Sequence, residues 1–305
     1  MNRTDTQHDQ SLAGHSRQIS AEDLAIAQRE LGASLEEVPG CLLCGSGSLR
    51  PSPEQPHPPY GLLECPACSA ILLSPRPQAE AMKAFYSRIA GGQRDLPLDP
   101  RQLRRAQRHL RRLSRHRRPP GRMLEVGAGE GYFCSAAREA GWEVVGLDVA
   151  YPHAARARQL FGLEVRVGDL LSADLRPASF DVVCLFQTLE HLHEPRVFLA
   201  RVGELLRPNG LLALSTPNVL SYPGKGRGVA EGWLIPQHVL FYTPLSLLRF
   251  LKAMHFRCCQ PRIVWAATLE ERMCWRPWRD GGSALSRRLR DWLTPFGLFV
   301  LARKG

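Results

Sequence analysis

Long apolar runs are missing from this chain. No run approaches the roughly 18 residues that a membrane-spanning helix needs, so no spanning segment is expected. Residues 1–18 are polar and lack the apolar centre of a secretory leader. No Gly-Lys-Ser/Thr loop is present, which argues against the phosphate-loop nucleotide hydrolases. No segment repeats at a fixed period. Cysteine is not scarce, but its number, nine, is odd, and four of the nine form two Cys-x-x-Cys pairs. That combination points to a reducing, cytoplasmic setting and away from a disulfide scaffold.

What is present suffices for one large α/β domain and a small module: 305 residues, 44% hydrophobic and 23% charged. The formal charge of +11 comes mostly from arginine. It favours anionic partners such as nucleic acid, phosphorylated sugars, nucleotides or an anionic membrane face. An arginine-rich source composition accounts for it equally well.

The chain is organised around residues 122–132. Residues 123–126 read as a buried strand, and Gly127, Gly129 and Gly131 follow at every second position. Helical spacing then covers 132–140, with Phe133, Ala136, Ala137 and Ala140 near one side. Strand, glycine turn and helix open a Rossmann-like unit. Glycine lets the backbone turn tightly and a ligand approach its amides, and the helix start adds partial positive charge. The sixth position of a dinucleotide fingerprint is Tyr132, not glycine, which argues against a nicotinamide or flavin enzyme.

Residues 1–35 read as a disordered tail with a short helix over 21–31, capped by Ser20. Residues 36–77 carry Cys41, Cys44, Cys65 and Cys68, two knuckles separated by 20 residues. Each knuckle can give two ligands to a tetrahedral zinc ion. Metal binding would supply folding energy that so small a module cannot draw from apolar burial. A redox dithiol would need only one pair, and an iron–sulfur cluster is the other metal reading.

Residues 78–118 read as a helical linker. A helix over 78–89 turns Met82, Phe85 and Tyr86 inward, and a glycine-rich connector follows. Residues 101–118 hold nine arginines around the stripe Leu103, Ala106, Leu110, Leu113. The basic face could grip phosphate or RNA. The preferred expectation is a helix packed on the sheet edge with its charges in solvent.

From 119 to 305 strands and helices alternate. Further strands are expected at 142–147, 163–167, 180–186, 211–215, 257–264 and 298–303, and helices at 151–161, 197–206 and 245–254. An insertion of about 266–295 suits a lid, a homodimer contact, a membrane-facing patch or plain surface packing. Asp148 closes the second strand, where an acidic side chain can accept both hydroxyls of a ribose.

Taken together, Leu124-Glu-Val-Gly-Ala-Gly-Glu-Gly131, Asp148, Gly168-Asp169, Phe180-Asp181-Val-Val, Leu189-Glu190-His191, Leu206-Arg-Pro-Asn-Gly-Leu211, Thr216-Pro-Asn218 and His238…Tyr242-Thr243 resemble the class I S-adenosylmethionine-dependent methyltransferases. The cysteine pairs, Pro75-Arg-Pro77 and Phe85-Tyr86 resemble the branch with an N-terminal zinc-binding region, found among bacterial sugar, quinone and natural-product enzymes. The resemblance implies a Rossmann-like seven-stranded sheet with its last strand antiparallel, helices on both faces, and a structural zinc module. It implies that Glu125, Gly127, Ala128, Gly129 and Gly131 line the methionine part of S-adenosyl-L-methionine. Asp148 would bind the ribose, and Val149 would pack near adenine. Asp169 and Leu170 would read the amino edge, and Gln187 would lie by the sulfur. His191, His193, Asn218 and His238 would lie near the substrate end.

Methyl transfer requires the acceptor about 3 Å from the methyl, in line with the departing sulfur. A hydroxyl acceptor must also lose a proton, which histidine can take near neutral pH. The expected order for that role is His191, His238, His193, with structural hydrogen bonding an equal alternative for a lone histidine in such a loop. Tyr132, Tyr222, Trp233 and Tyr242 could form pocket walls, or equally belong to the core. The leading expectation is O- or C-methylation of a polar or anionic small molecule: a sugar nucleotide, glycan or secondary metabolite. An RNA methyltransferase using the zinc module and the arginine helix is the alternative, although its arginines lack the interleaved aromatics of single-strand binders. A non-catalytic cofactor-binding protein is the third reading.

Overall fold

The computed structural model describes residues 29–52, 58–91, 97–219, 236–260, 263 and 297–305. Most of the expected 21–31 helix, Tyr222, Trp233 and the 266–295 insertion, with its expected dimer contact, lie outside the described residues.

Strand β1 (Leu35–Glu36) precedes the first cysteine knuckle. Strands β2 (Arg50–Pro51), β3 (Leu62–Glu64), β4 (Ile71–Leu73) and β5 (Arg76–Pro77) follow, and β5 pairs back on β1. Helices α1 (Ala79–Gly91) and α2 (Pro100–Leu113) lead into β6 (Arg122–Val126), α3 (Tyr132–Glu139), β7 (Glu143–Asp148), α4 (Tyr151–Phe161) and β8 (Val165–Val167). Then come β9 (Phe180–Phe186), α5 (Pro195–Leu205), β10 (Leu206–Pro217), β11 (Leu240–Phe241), α6 (Pro244–Ala253), β12 (Phe256–Cys258) and β13 (Gly297–Lys304).

Seven strands form one sheet in the order β12-β13-β10-β9-β6-β7-β8. Strand β13 runs antiparallel to β10 and β12, and the pairs from β10 to β8 are all parallel. Strand β9 is buried from Phe180 to Leu185, as expected for a parallel strand covered by helices on both faces. Strand order reverses between β6 and β9, which opens a crevice at their carboxyl ends.

Strand β10 begins earlier than its apolar run suggested. Leu206 already pairs with Phe180, and the register slips before Leu211. Asn209 takes a φ of 59° in that slip, a left-handed conformation that asparagine tolerates better than most residues. Helix α2 starts at Pro100 with Asp99 as its cap, the side chain accepting the Arg101 N–H at 2.9 Å.

The cysteine-bearing region does not end where the sequence suggested. Strand β11, from far down the chain, pairs with β4 in a second sheet of order β11-β4-β3-β2. Val38, Leu43 and Leu72 belong to the same apolar cluster as Leu124, Val183 and Leu212 of the main sheet. Arg196 donates to the Leu43 carbonyl at 2.9 Å and Arg249 to the Ala67 carbonyl at 2.6 Å. Residues 36–77 are therefore built into the body.

Asp181, 6% exposed at the start of β9, ties the base of the sheet together. Its carboxylate accepts the Arg122 N–H at 2.9 Å, the Arg207 guanidinium at 2.6 Å and the Arg117 guanidinium. Both arginines are well exposed, so solvent screens their share. Replacing Asp181 by Ala leaves the Arg122 N–H without its acceptor and is expected to lower unfolding free energy by about 1–3 kcal/mol. Denaturant titration checks this, and a change under about 0.5 kcal/mol would show that the carboxylate is not a tie.

Candidate functional site

A cavity of about 680 Å³ opens at the carboxyl ends of β6, β7 and β9. Its floor is the first part of the glycine turn, residues 127–130. Gly127, Gly129 and Gly131 have φ of 74°, 53° and 79°, the left-handed region that favours glycine. A Cβ on Gly127 would meet Thr188 Oγ1 at 2.6 Å, and one on Gly131 would meet Ala157 Cβ at 2.9 Å. A Cβ on Gly129 would meet nothing within 4 Å. Gly129 thus presents bare backbone to the cavity, and its neighbours let strand and helices close up.

Asp148 stands at the end of β7, 7% exposed. Its Oδ2 accepts the Gly129 N–H at 2.7 Å, and its Oδ1 accepts the Ala150 N–H at 2.9 Å and lies 3.1 Å from His153 Nδ1. A carboxylate offers about four lone-pair positions, so this set leaves room for a hydroxyl donor. The aspartate raises the His153 pKa against the opposing effect of burial.

Glu125 sits one residue before the end of β6, 4% exposed. The Cys134 thiol donates to it at 2.9 Å. Burial pushes its pKa up to about 8. Val149, Asp169, Leu170 and Leu171 form one side of the cavity, and Asp169 accepts the Leu171 N–H at 2.9 Å. Gln187 follows β9 with a φ of 56°, an uncommon conformation for a non-glycine residue that costs of order 1–3 kcal/mol. Its N–H is fixed by the Ser215 carbonyl at 2.8 Å.

The other side is supplied by the helices before the sheet. Tyr86 of α1 lies with its hydroxyl 2.8 Å from His191 Nδ1, and the Gln237 carbonyl is 2.9 Å from the same nitrogen. Burial lowers the His191 pKa to about 4 and raises that of Tyr86. His193 Nε2 donates to the Pro77 carbonyl at 2.8 Å. From α2, Gln102, Arg105, Ala106 and His109 reach the cavity. The His109 ring lies against Phe186 with centroids 4.4 Å apart, and its pKa falls to about 3 through burial, with nearby arginines adding to the effect.

Most of the expected cofactor residues meet in this one cavity: Glu125, Gly127, Ala128, Gly129, Asp148, Val149, Asp169, Leu170 and Gln187, with His191 and His193 beside them. Gly131 and His238 do not line it. Gly131 caps α3 and lets α4 approach. Tyr132 lines the cavity while its hydroxyl accepts the Asp99 N–H at 2.9 Å. Tyr242 is buried away from the cavity, its hydroxyl 3.4 Å from the Leu189 carbonyl. The sequence reading missed Lys83, Arg105 and His109, and read Tyr86 as core. The signal for His109 was available: it follows Ala106 by three on the apolar stripe of α2.

The four cysteines also converge. Cys41 and Cys68 sulfurs lie 3.5 Å apart, Cys44 and Cys65 sulfurs 3.6 Å apart, and all four fall within 4.8 Å of one another. Four thiolates about 2.3 Å from a tetrahedral centre would be separated by about 3.8 Å, so the set fits a four-sulfur metal site. The knuckles match: the Gly45 N–H bonds the Cys41 carbonyl and the Ser69 N–H the Cys65 carbonyl, each at 2.8 Å, with positive φ at Gly45 and Ser69.

A profile of the methyltransferase domain matches residues 98–260, more than half of the sequence. The chain belongs to the methyltransferase-domain family. Among curated relatives of this family member, a probable S-adenosylmethionine-dependent methyltransferase of Mycolicibacterium smegmatis is 36% identical over 105 residues, which is 34% of this chain and 41% of the relative. A ubiquinone biosynthesis O-methyltransferase of Idiomarina loihiensis is 34% identical over 147 residues, 43% of this chain and 60% of the relative. The matches thus span about half the length of these relatives. Among solved structures, the fold is similar to that of the Burkholderia thailandensis 1,6-didemethyltoxoflavin-N1-methyltransferase, solved with 1,6-didemethyltoxoflavin and S-adenosylhomocysteine bound. That match has a TM-score of 0.51 at 21% identity, covering 82% of this chain and 99% of that one.

The raised pKa of Glu125 carries a stability signature. The folded protein keeps a proton that the unfolded chain releases near pH 4.5, so this group's contribution falls as pH rises from there to about 8 and is level above. A Glu125→Gln variant lacks that loss. Its stability relative to the parent is expected to rise by more than about 1 kcal/mol between about pH 5 and pH 9, measured by denaturant titration. A constant difference across that range would show that Glu125 is ionised throughout.

Proposed function

We propose that this protein is an S-adenosylmethionine-dependent methyltransferase that modifies oxygen or carbon of a polar or anionic small molecule. The observation that carries the reading is the convergence of the bare Gly129 backbone and the buried Asp148 carboxylate on one cavity at the strand-order reversal. The names of the two curated relatives support it.

When bound, the cofactor supplies a sulfonium methyl already activated for displacement. The protein's part is to bind and align. Asp148 would take the ribose hydroxyls, and Val149 and Leu170 would flank the adenine with Asp169 at its amino edge. Gly127, Ala128 and Gly129 would run beside the methionine portion, with Glu125 below and Gln187 near the sulfur. The acceptor would then lie toward Tyr86, His191 and His193, the histidines we assign to that end of the cavity, while His238 acts from behind the wall. Arg105 and Lys83 place positive charge on the walls, which suits an anionic acceptor. The inner face of α2 lines the cavity, which supports a role for the arginine helix in forming the site ahead of a role in gripping RNA.

Cys41, Cys44, Cys65 and Cys68 would hold one structural zinc ion. Through Cys41, Cys65 and Cys68, which lie in the core shared with the sheet, that ion would order the module against the body. Replacing Cys65 by Ser is expected to remove this zinc and lower the melting temperature of the whole protein. Loss of zinc without change in the melt would detach the module from the body.

Incubation with methyl-labelled cofactor and a metabolite extract, beside a parallel RNA pool, tests the activity. Label is expected in a small molecule. Label confined to RNA would overturn the acceptor class, and no transfer to any acceptor by protein that binds the cofactor would favour a binding protein.

A further inference from the structure

Behind the acceptor end of the cavity, Glu190, His191 and His238 form a second cluster of metal-binding groups. One ligand atom from each lies within 4.8 Å of the other two. They come from two separate segments: the single 3-10 turn Leu189–His191 after β9, and the approach to β11. The His191 and His238 rings meet edge-on with centroids 4.7 Å apart.

Glu190 is the informative member. It is 1% exposed, and neither carboxylate oxygen has a hydrogen-bond partner among the described residues. A buried carboxylate without a hydrogen bond is costly, and the charge of Arg105 offsets only part of the effect of its burial. The groups converging with it are two imidazoles, which bind first-row divalent ions well. The surroundings hold the ring as outer partners hold a ligating histidine: the Gln237 carbonyl and the Tyr86 hydroxyl lie 2.9 Å and 2.8 Å from His191 Nδ1. The backbone holds the two segments together as well, through the Val239 N–H and the Glu190 carbonyl at 3.0 Å.

We propose that Glu190, His191 and His238 bind a divalent first-row cation, distinct from the ion of the four cysteines. Of the three residues, His191 is the one that also lines the cavity. The cation therefore acts through His191: it neutralises the buried carboxylate, pins the segment of residues 237–239 to the turn after β9, and fixes the His191 ring beside Tyr86. The site stands on its own residues and does not depend on which acceptor is methylated.

Metal analysis of the full chain after loading with zinc and gel filtration tests this. About two zinc ions per chain are expected. Glu190→Gln and His238→Ala should each remove one and leave the cysteine-bound ion, while Cys65→Ser should remove the other. Two ions retained in Glu190→Gln, or a single ion in the parent that Cys65→Ser abolishes, would overturn the proposal. Should Glu190→Gln fail to fold, cobalt supplies a second readout on the parent. Nitrogen and oxygen ligation adds weak visible bands without thiolate charge transfer, and a purely thiolate spectrum at saturation would contradict the site. Binding of S-adenosylhomocysteine, measured on the same samples, separates the two readings: intact binding with no second ion refutes the cation alone.

Discussion

The hydrogen bond from the Gly129 N–H to Asp148 is the contact on which the rest of the site depends. At 2.7 Å it joins the turn after β6 to the end of β7. It requires a glycine with φ of 53° on one side and a buried carboxylate on the other. Each condition is costly alone, and each makes sense at the reversal of strand order, where backbone amides and a carboxylate can face one ligand. Gly127 and Gly131 serve the same arrangement from outside, since a side chain at either would push Thr188 or Ala157 away.

Around that contact the protein is assembled from two distant parts of the chain. The sheet supplies the floor, and helices α1 and α2, which precede it, supply a wall. Tyr86 reaches His191 across 105 residues of sequence and Asp99 reaches Tyr132 across 33. The strands around the cysteine knuckles are completed by β11, which follows His238 in the chain. Cysteine region and sheet therefore share one apolar core, which also takes in Leu189 and Val239 beside the Glu190–His191–His238 cluster.

Much of this was legible in the sequence, for physical reasons. Buried parallel strands are short apolar runs, so Phe180–Phe186 and the β6 run stood out, and left-handed turns ask for glycine. The paired cysteines announced their convergence by spacing alone. Contacts across sequence distance were not legible. Nothing local shows that Leu240–Phe241 would extend the cysteine sheet, and the arginines of α2 obscured a helix whose inner face bears Ala106 and His109. Gly131 was read as a ligand contact because it continues the glycine series, but its neighbours are Ala157 and Leu163. Glu190 was read as part of a motif with His191, and only the fold brings the His238 imidazole beside them.

The central claim is that a sulfonium nucleoside occupies the cavity with its ribose on Asp148. Calorimetric titration of S-adenosylhomocysteine into the folded chain tests it most directly. The account predicts saturable binding, weakened by about 10- to 100-fold in an Asp148→Asn variant, the range for losing hydrogen bonds to a buried charge. Absence of binding by folded protein, together with tight uptake of a nicotinamide dinucleotide, would contradict it.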